Sequence, residues 1–298
     1  MLRVGTCSWA EKTLIRSGEF YPPEASTAEA RLRFYARHFD VVEVDSTYYA
    51  IPVIATAALW AERTPPDFVF HIKAYGPLTG HSVDPRTLPK DLQSGLTGSE
   101  RADKHIYIRD ASLLLAVAQL FKESLQPLSR TGKLGVVVFQ YPPWFTYSHR
   151  NLDFILTCRD LMVPFSVAVE FRHGTWLVPE KRDKVFRFLA EHGLIYVVAD
   201  EPHFGDLRTV PYVPQVTSGT AYFRFHGRNA ENWFRKGIDT ALRYAYEYNE
   251  EELGGFVPAV RDASAKAAQS YVMFNNCYRA SAIRNALRMK DLLARRTQ

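Results

Sequence analysis

Eight short runs rich in β-branched and aromatic residues punctuate the chain, at 3–8, 41–45, 68–73, 134–141, 166–171, 195–200, 222–226 and 271–275. Their apolar residues recur with period two, the spacing of a strand. Helical spacing or composition occupies 28–39, 55–63, 111–125, 151–161, 179–192 and 282–295, and 257–270 also reads as a helix. Pro179 suits a first helical turn, where its missing N–H costs nothing, and Gly193 suits a stop. Strand–helix alternation repeated eight times predicts an α/β fold, a (β/α)8 barrel of TIM type, with an open doubly wound sheet as the alternative. The 298 residues fit one such barrel over 1–298, since about 250 is typical. One insertion, Gly76 to Asp110, follows the third strand and is rich in Gly, Pro, Ser and mixed charge. It reads as a lid or mobile loop, or as a variable surface excursion.

The alternation also sorts charge. Glu43 and Asp45 share one face of the second strand while Val42 and Val44 share the other. His71 and Lys73 oppose Phe70 and Ile72. Glu170 and Arg172 oppose Val169 and Phe171, Arg224 and His226 oppose Phe223 and Phe225, and Asn275 opposes Phe274. If the apolar parity meets the helices, the polar parity points to the barrel axis at the C-terminal strand ends, where barrels of this type carry their active sites. Counted there, Glu43, Asp45, Glu170 and Asp200 face Lys73, Arg172, Arg224 and Arg228. This near balance allows a purely structural reading, because buried charges normally pair.

Glu43, Asp45, His71, Glu170, Asp200 and His226 are ligand types for a divalent metal. The cations argue against one: two unit charges 4 Å apart interact by about 4 kcal/mol at an effective dielectric of 20. No metal and no cofactor is expected. Arginine suits phosphate or carboxylate, Gly227 would let backbone approach a ligand, and Asn275 and Asn276 end the eighth strand. Barrels of this type often bind phosphate after strands seven and eight. Trp9, Trp144, Trp176 and Trp233 follow strands one, four, five and seven, so stacking on a ligand or a small loop core are both open.

Hydrophobic residues make up 47% of the chain, without an apolar run of membrane-spanning length or a cleavable signal. A cytoplasmic protein with no membrane partner is expected. Three scattered cysteines without a Cys-x-x-Cys pair argue against disulfides and structural zinc. A net charge of +5 is modest. The basic residues Arg284, Arg288, Lys290, Arg295 and Arg296 read as a solvated helix face, though they would also suit nucleic acid.

Ordered motifs run through the chain: Val4-Gly-Thr-Cys-Ser-Trp9, Phe20-Tyr-Pro22, Val42-Glu-Val-Asp-Ser-Thr-Tyr-Tyr49, Phe139-Gln-Tyr-Pro-Pro143, Val169-Glu-Phe-Arg-His-Gly-Thr-Trp176, Phe223-Arg-Phe-His-Gly-Arg228 and Phe274-Asn-Asn276. Together they resemble the YecE-like family, domain of unknown function 72. The resemblance implies a TIM barrel and transfers no catalytic residue. Asp45 stands where the family pattern has Asn, which adds a negative charge. Likeness at fold level to metal-dependent endonuclease and sugar-isomerase barrels adds those chemistries as an alternative.

The functional expectation is an enzyme that binds a phosphorylated or other anionic ligand, such as a phosphodiester, at the barrel mouth. Lys73, Arg172, Arg224 and Arg228 would hold the anion, with Glu43 or Glu170 as base and His226 as acid. Asp45, Asp200, Gly227, Asn275, Asn276 and Trp176 would complete the ligand site. A nucleic-acid-binding module without catalysis is the other reading.

Overall fold

Side-chain parity along each strand decides what faces the axis and what faces the helices. The computed structural model describes residues 1–295. Parallel strands β1 (Leu2–Thr6), β2 (Val41–Val44), β3 (Val69–Lys73), β4 (Leu134–Gln140), β5 (Val167–Glu170), β6 (Ile195–Asp200), β7 (Thr220–Phe225) and β8 (Gln269–Phe274) pair in chain order, and β8 pairs with β1. The sheet closes into a (β/α)8 barrel. Val42, Phe70, Val169, Phe223 and Phe274 point outward into the main apolar core. Val41, Val138, Ala168, Val197, Tyr222 and Met273 fill the lower axis.

The outer layer includes α1 (Ala28–Tyr35), α2 (Ile54–Glu62), α3 (Ala111–Ser124), α4 (His149–Met162), α5 (Pro179–Glu191), α6 (Glu250–Lys266) and α7 (Ser281–Ala294). Two of these differ from the sequence reading. Helix α6 starts at Glu250, not 257, because Asn249 and Glu252 form a reciprocal capping box, and Pro258 is carried inside the helix. The sixth connection, residues 201–219, contains no helix, so the alternation is not strict. There Thr217 accepts from Tyr196 N–H at 2.9 Å and donates to Leu194 C=O at 2.7 Å, while Tyr212 packs on Phe256.

The insertion after β3 is folded onto the body. It holds short helical turns and a bridge between Val83 and Ile106, and buries Leu78, Leu88 and Leu96 in the main core. Packing on this scale makes it a fitted cover, not a loose loop. Strands β1 and β2 share a short register, and the buried Tyr35 hydroxyl pins them by accepting from Thr6 N–H at 3.0 Å and donating to Val41 C=O at 3.1 Å. Inside, the His71 ring lies 4.2 Å from Tyr271 and 4.9 Å from Tyr222. Gly135 makes room for it, since a Cβ there would sit 2.4 Å from His71 Nδ1.

Candidate functional site

Above that apolar layer the inward positions become ionic. Arg224 is fully buried, and the only way to hold a guanidinium on a dry axis is to surround it with carboxylates. Its Nη2 donates to Glu43 at 2.6 Å, and its Nη1 donates to Glu170. Asp45, on the turn after β2, lies 3.5 Å from the same Nη2. Arg172 donates to Glu170 Oε1 at 3.0 Å and lies 2.8 Å from Glu201. A row of alternating charge, Glu43, Arg224, Glu170, Arg172 and Glu201, therefore crosses the mouth.

The environments separate these carboxyls. Burial alone would raise Glu170, but Arg224, His226 and Arg172 outweigh it and hold it well below the usual carboxylate range. Gln140 also donates to it, at 2.6 Å. Glu43 is fully buried, and desolvation, reinforced by Asp45, pushes it up to about 8 despite Arg224. Tyr222 donates to it at 2.8 Å. Glu201 is likewise raised by burial, to about 7. At neutral pH Glu170 at the centre of the row is ionised and Glu43 at one end is largely protonated, while Glu201 at the other end is close to the midpoint of its titration.

His226 is buried, which lowers its pKa to about 3. Asn275 Nδ2 donates to Nδ1 at 2.8 Å, which leaves Nε2–H to donate to Glu170 at 2.9 Å. The imidazole is thus neutral, and it orients Glu170. Glu170, read from the sequence as a base, is held as the anion, and His226, read as an acid, is its neutral hydrogen-bond partner. Lys73 has a different setting. Its ammonium lies 5.0 Å from the Tyr48 ring centroid and lines a cavity of ≈ 400 Å³ with Asp45, Asn275 and Tyr244. Among the described residues, no carboxylate lies within 4.0 Å of it.

The groups after strands seven and eight are committed to one another. Arg228 holds Asp200 through paired hydrogen bonds of 3.0 and 2.7 Å, and Asp200 also accepts from Tyr248 at 2.6 Å. Gly227, at φ 84°, turns Arg228 out of the axial parity; its N–H donates to Tyr248, and a Cβ would meet Tyr246 at 2.6 Å. Its close approach is thus to its own chain. Asn276 donates to Tyr246 C=O and Asn285. Trp176 is fully buried, stacked between Phe171 and Phe145, with its N–H donated to Phe145 C=O at 2.6 Å. It braces the wall and offers no ring face to a ligand. Trp9 packs on Trp60 in the outer core; Trp233 does border the mouth, under Arg172.

Among the described residues no group of three or more His, Cys, Asp or Glu side chains is placed to hold a metal ion. The three cysteines are free. The basic face of α7 is largely neutralised in place: Arg284 pairs with Glu247 and Glu19, Arg288 pairs with Glu250, and Lys290 donates to His38 C=O. Arg296 lies outside the described residues.

Comparison with known proteins gives this arrangement a family. The profile described as "Protein of unknown function DUF72" matches residues 3–298. The chain belongs to the DUF72 family. The "UPF0759 protein YunF" of Bacillus subtilis (strain 168) is 30% identical over 297 residues, covering 98% of this chain and 95% of that protein. A DUF72 crystal structure from Thermotoga maritima MSB8 superposes with a TM-score of 0.77 at 32% identity, covering 99% and 100% of the two chains. One from Enterococcus faecalis V583 gives 0.79 at 27%, covering 100% and 97%. No helix of the described residues of this DUF72 protein is long and apolar enough to cross a membrane.

Three members of the site were missed in the sequence although parity points to them. Glu201 continues the inward series of Ile195 and Val197, whereas Asp200 continues the outward series of Tyr196 and Val198. Tyr222 precedes Arg224 by two and shares its face. Gln140 holds the same position on β4 that Glu170 holds on β5, in register beside it. His81 and Tyr244 border the mouth from distant loops, and no spacing signal marks them.

Proposed function

We propose that this DUF72 protein is an acid–base enzyme acting on a small phosphorylated or otherwise anionic substrate, bound in the cavity shared by Lys73 and Asp45. One observation carries the reading: of the four cations read at the mouth, Arg172, Arg224 and Arg228 are paired with carboxylates, and Lys73 faces a cavity without such a partner. An ammonium in that position suits an incoming anion. Beside it, Glu43 supplies a proton held at neutral pH by burial, and Asp45 reaches the cavity from the same pair. Asp45 lies between Glu43 and the cavity, beside the same Arg224 Nη2, and relays the Glu43 proton to the substrate. Arg224 keeps its charge throughout and fixes both.

Two variants and a panel of phosphoesters test this. Glu43→Gln is expected to lower kcat by about 10²–10⁴, the usual worth of a general acid or base, with KM little changed. Lys73→Ala is expected to raise KM about tenfold and to weaken inorganic phosphate binding in calorimetry by a similar factor. Wild-type turnover that survives both changes would remove the mechanism, and phosphate affinity indifferent to Lys73 would remove the anion site.

A further inference from the structure

The cavity that holds Lys73 lies at the mouth. A second, of ≈ 210 Å³, adjoins it, and Tyr244 borders both. Aromatic rings form much of its wall: Trp233 and Tyr244 meet edge to face with centroids 5.8 Å apart. The Arg172 guanidinium lies 5.2 Å from the Trp233 centroid. Two lining residues carry buried polar atoms that lack hydrogen-bond partners among the described residues, Glu201 Oε2 and Arg243 Nε. Arg172 lies 2.8 Å from Glu201 Oε2 and answers its charge, but the alignment of a hydrogen bond is missing. Glu201 is only 4% exposed, and its other oxygen is held by Val210 N–H at 2.8 Å. Arg243 Nε is thus an unmet donor beside an aromatic cavity, which is costly to bury and matches a ligand acceptor.

We infer that one ligand spans both cavities, with its anionic group at Lys73 and a planar heteroaromatic ring against Trp233 and Tyr244, hydrogen-bonded to Arg243. The substrate class is then a phosphorylated heterocycle of nucleoside monophosphate type. This deepens the anion reading and rests on it. Trp233, Tyr244, Tyr141 and Phe234 bring ring surfaces to the second cavity beside its charged and amide side chains, which gives a flat ring something to stack on. Its ≈ 210 Å³ admits one ring system, and with the neighbouring ≈ 400 Å³ the site reaches small-ligand size, about 300–1,000 Å³.

Calorimetry with inorganic phosphate, ribose 5-phosphate, adenosine and adenosine monophosphate tests the inference. The monophosphate is expected to bind about tenfold or more tightly than phosphate or ribose 5-phosphate, the usual worth of one stacked base. Trp233→Ala should erase that gain and leave phosphate binding intact, whereas Lys73→Ala should erase phosphate binding and leave adenosine binding intact. Arg243→Met, at a half-buried position, gives a second route should Trp233→Ala not fold, and should weaken only adenosine and its monophosphate. Lys73-dependent phosphate binding with no gain from the base overturns the bridging ligand and leaves the anion reading standing. Monophosphate binding indifferent to Lys73→Ala overturns both. Ribose 5-phosphate binding as tightly as the monophosphate, in a Trp233-dependent way, overturns the heterocycle.

Discussion

Arg224 and His71 show how one buried position differs from the next along the same axis. Arg224 lies between Glu43 and Glu170, and breaking such a buried pair typically costs about 3–5 kcal/mol because the stranded charge has no water. His71, the register partner of Glu43 on the neighbouring strand, packs against Tyr222 and Tyr271 and forms no ion pair among the described residues; its Nδ1 accepts from Val136 N–H at 3.0 Å and burial lowers its pKa to about 3. Between that value and the ordinary 6.5 the unfolded chain binds a proton that the folded chain does not. Its contribution is therefore whole above 6.5 and is lost as pH falls through this window, by about 1.4 kcal/mol per pH unit. His71→Gln keeps an acceptor for Val136 and removes the titration. Urea denaturation at pH 7 and pH 5 should show wild type losing about 2 kcal/mol more than the variant. Equal losses would mean that His71 is not held neutral. That a histidine in this strand faces inward was legible from period two; that it sits in the apolar layer was not, because parity sets direction and not the company of neighbouring strands.

At the level of elements, the sixth connection is the departure that the sequence hid. Residues 201–219 follow a strand and precede another, so repetition alone suggests a helix between them. The extended path is retained because Thr217 satisfies backbone groups at the head of β6 and Val210 N–H is taken by Glu201. Thr217→Val preserves shape and strands a buried N–H and C=O. A loss of about 1–3 kcal/mol in chemical denaturation is expected, and a change within noise would show that this hydroxyl does not hold the connection. Helix α6 teaches the converse: Gly254, Gly255 and Pro258 read as breakers, yet the cap at Asn249 and a buried face of Leu253, Phe256 and Val260 override them. Local propensity yields where burial is larger.

For the whole molecule, closure is the controlling fact. Strands β1 and β8, at opposite ends of the chain, pair over Leu2–Thr6 and Gln269–Phe274, and α7 covers that join with Ala282, Ile283, Ala286 and Met289. A chain ending at residue 280 would uncover this apolar face. It is expected to lose the cooperative thermal transition seen by circular dichroism, and a truncated chain that melts sharply would show that closure does not need α7. The excess charge of +5 belongs to this scale too. Ion pairs along α7 absorb much of its basic face, and at the mouth Lys73 faces a cavity.

The sequence by itself determined the barrel, the inward parity of Glu43, Lys73, Glu170, Arg172, Arg224 and His226, and the family, because strand period and ordered motifs are local properties of the chain. Tertiary structure alone decided which of these ions are spent on each other. Asp200 and Arg228 close on one another outside the axis, Trp176 and Asn276 brace the wall, Glu201 enters, and Lys73 is left facing space. Pairing, desolvation and cavity shape depend on side chains brought together from strands far apart in the chain, and no spacing along the chain encodes that distance.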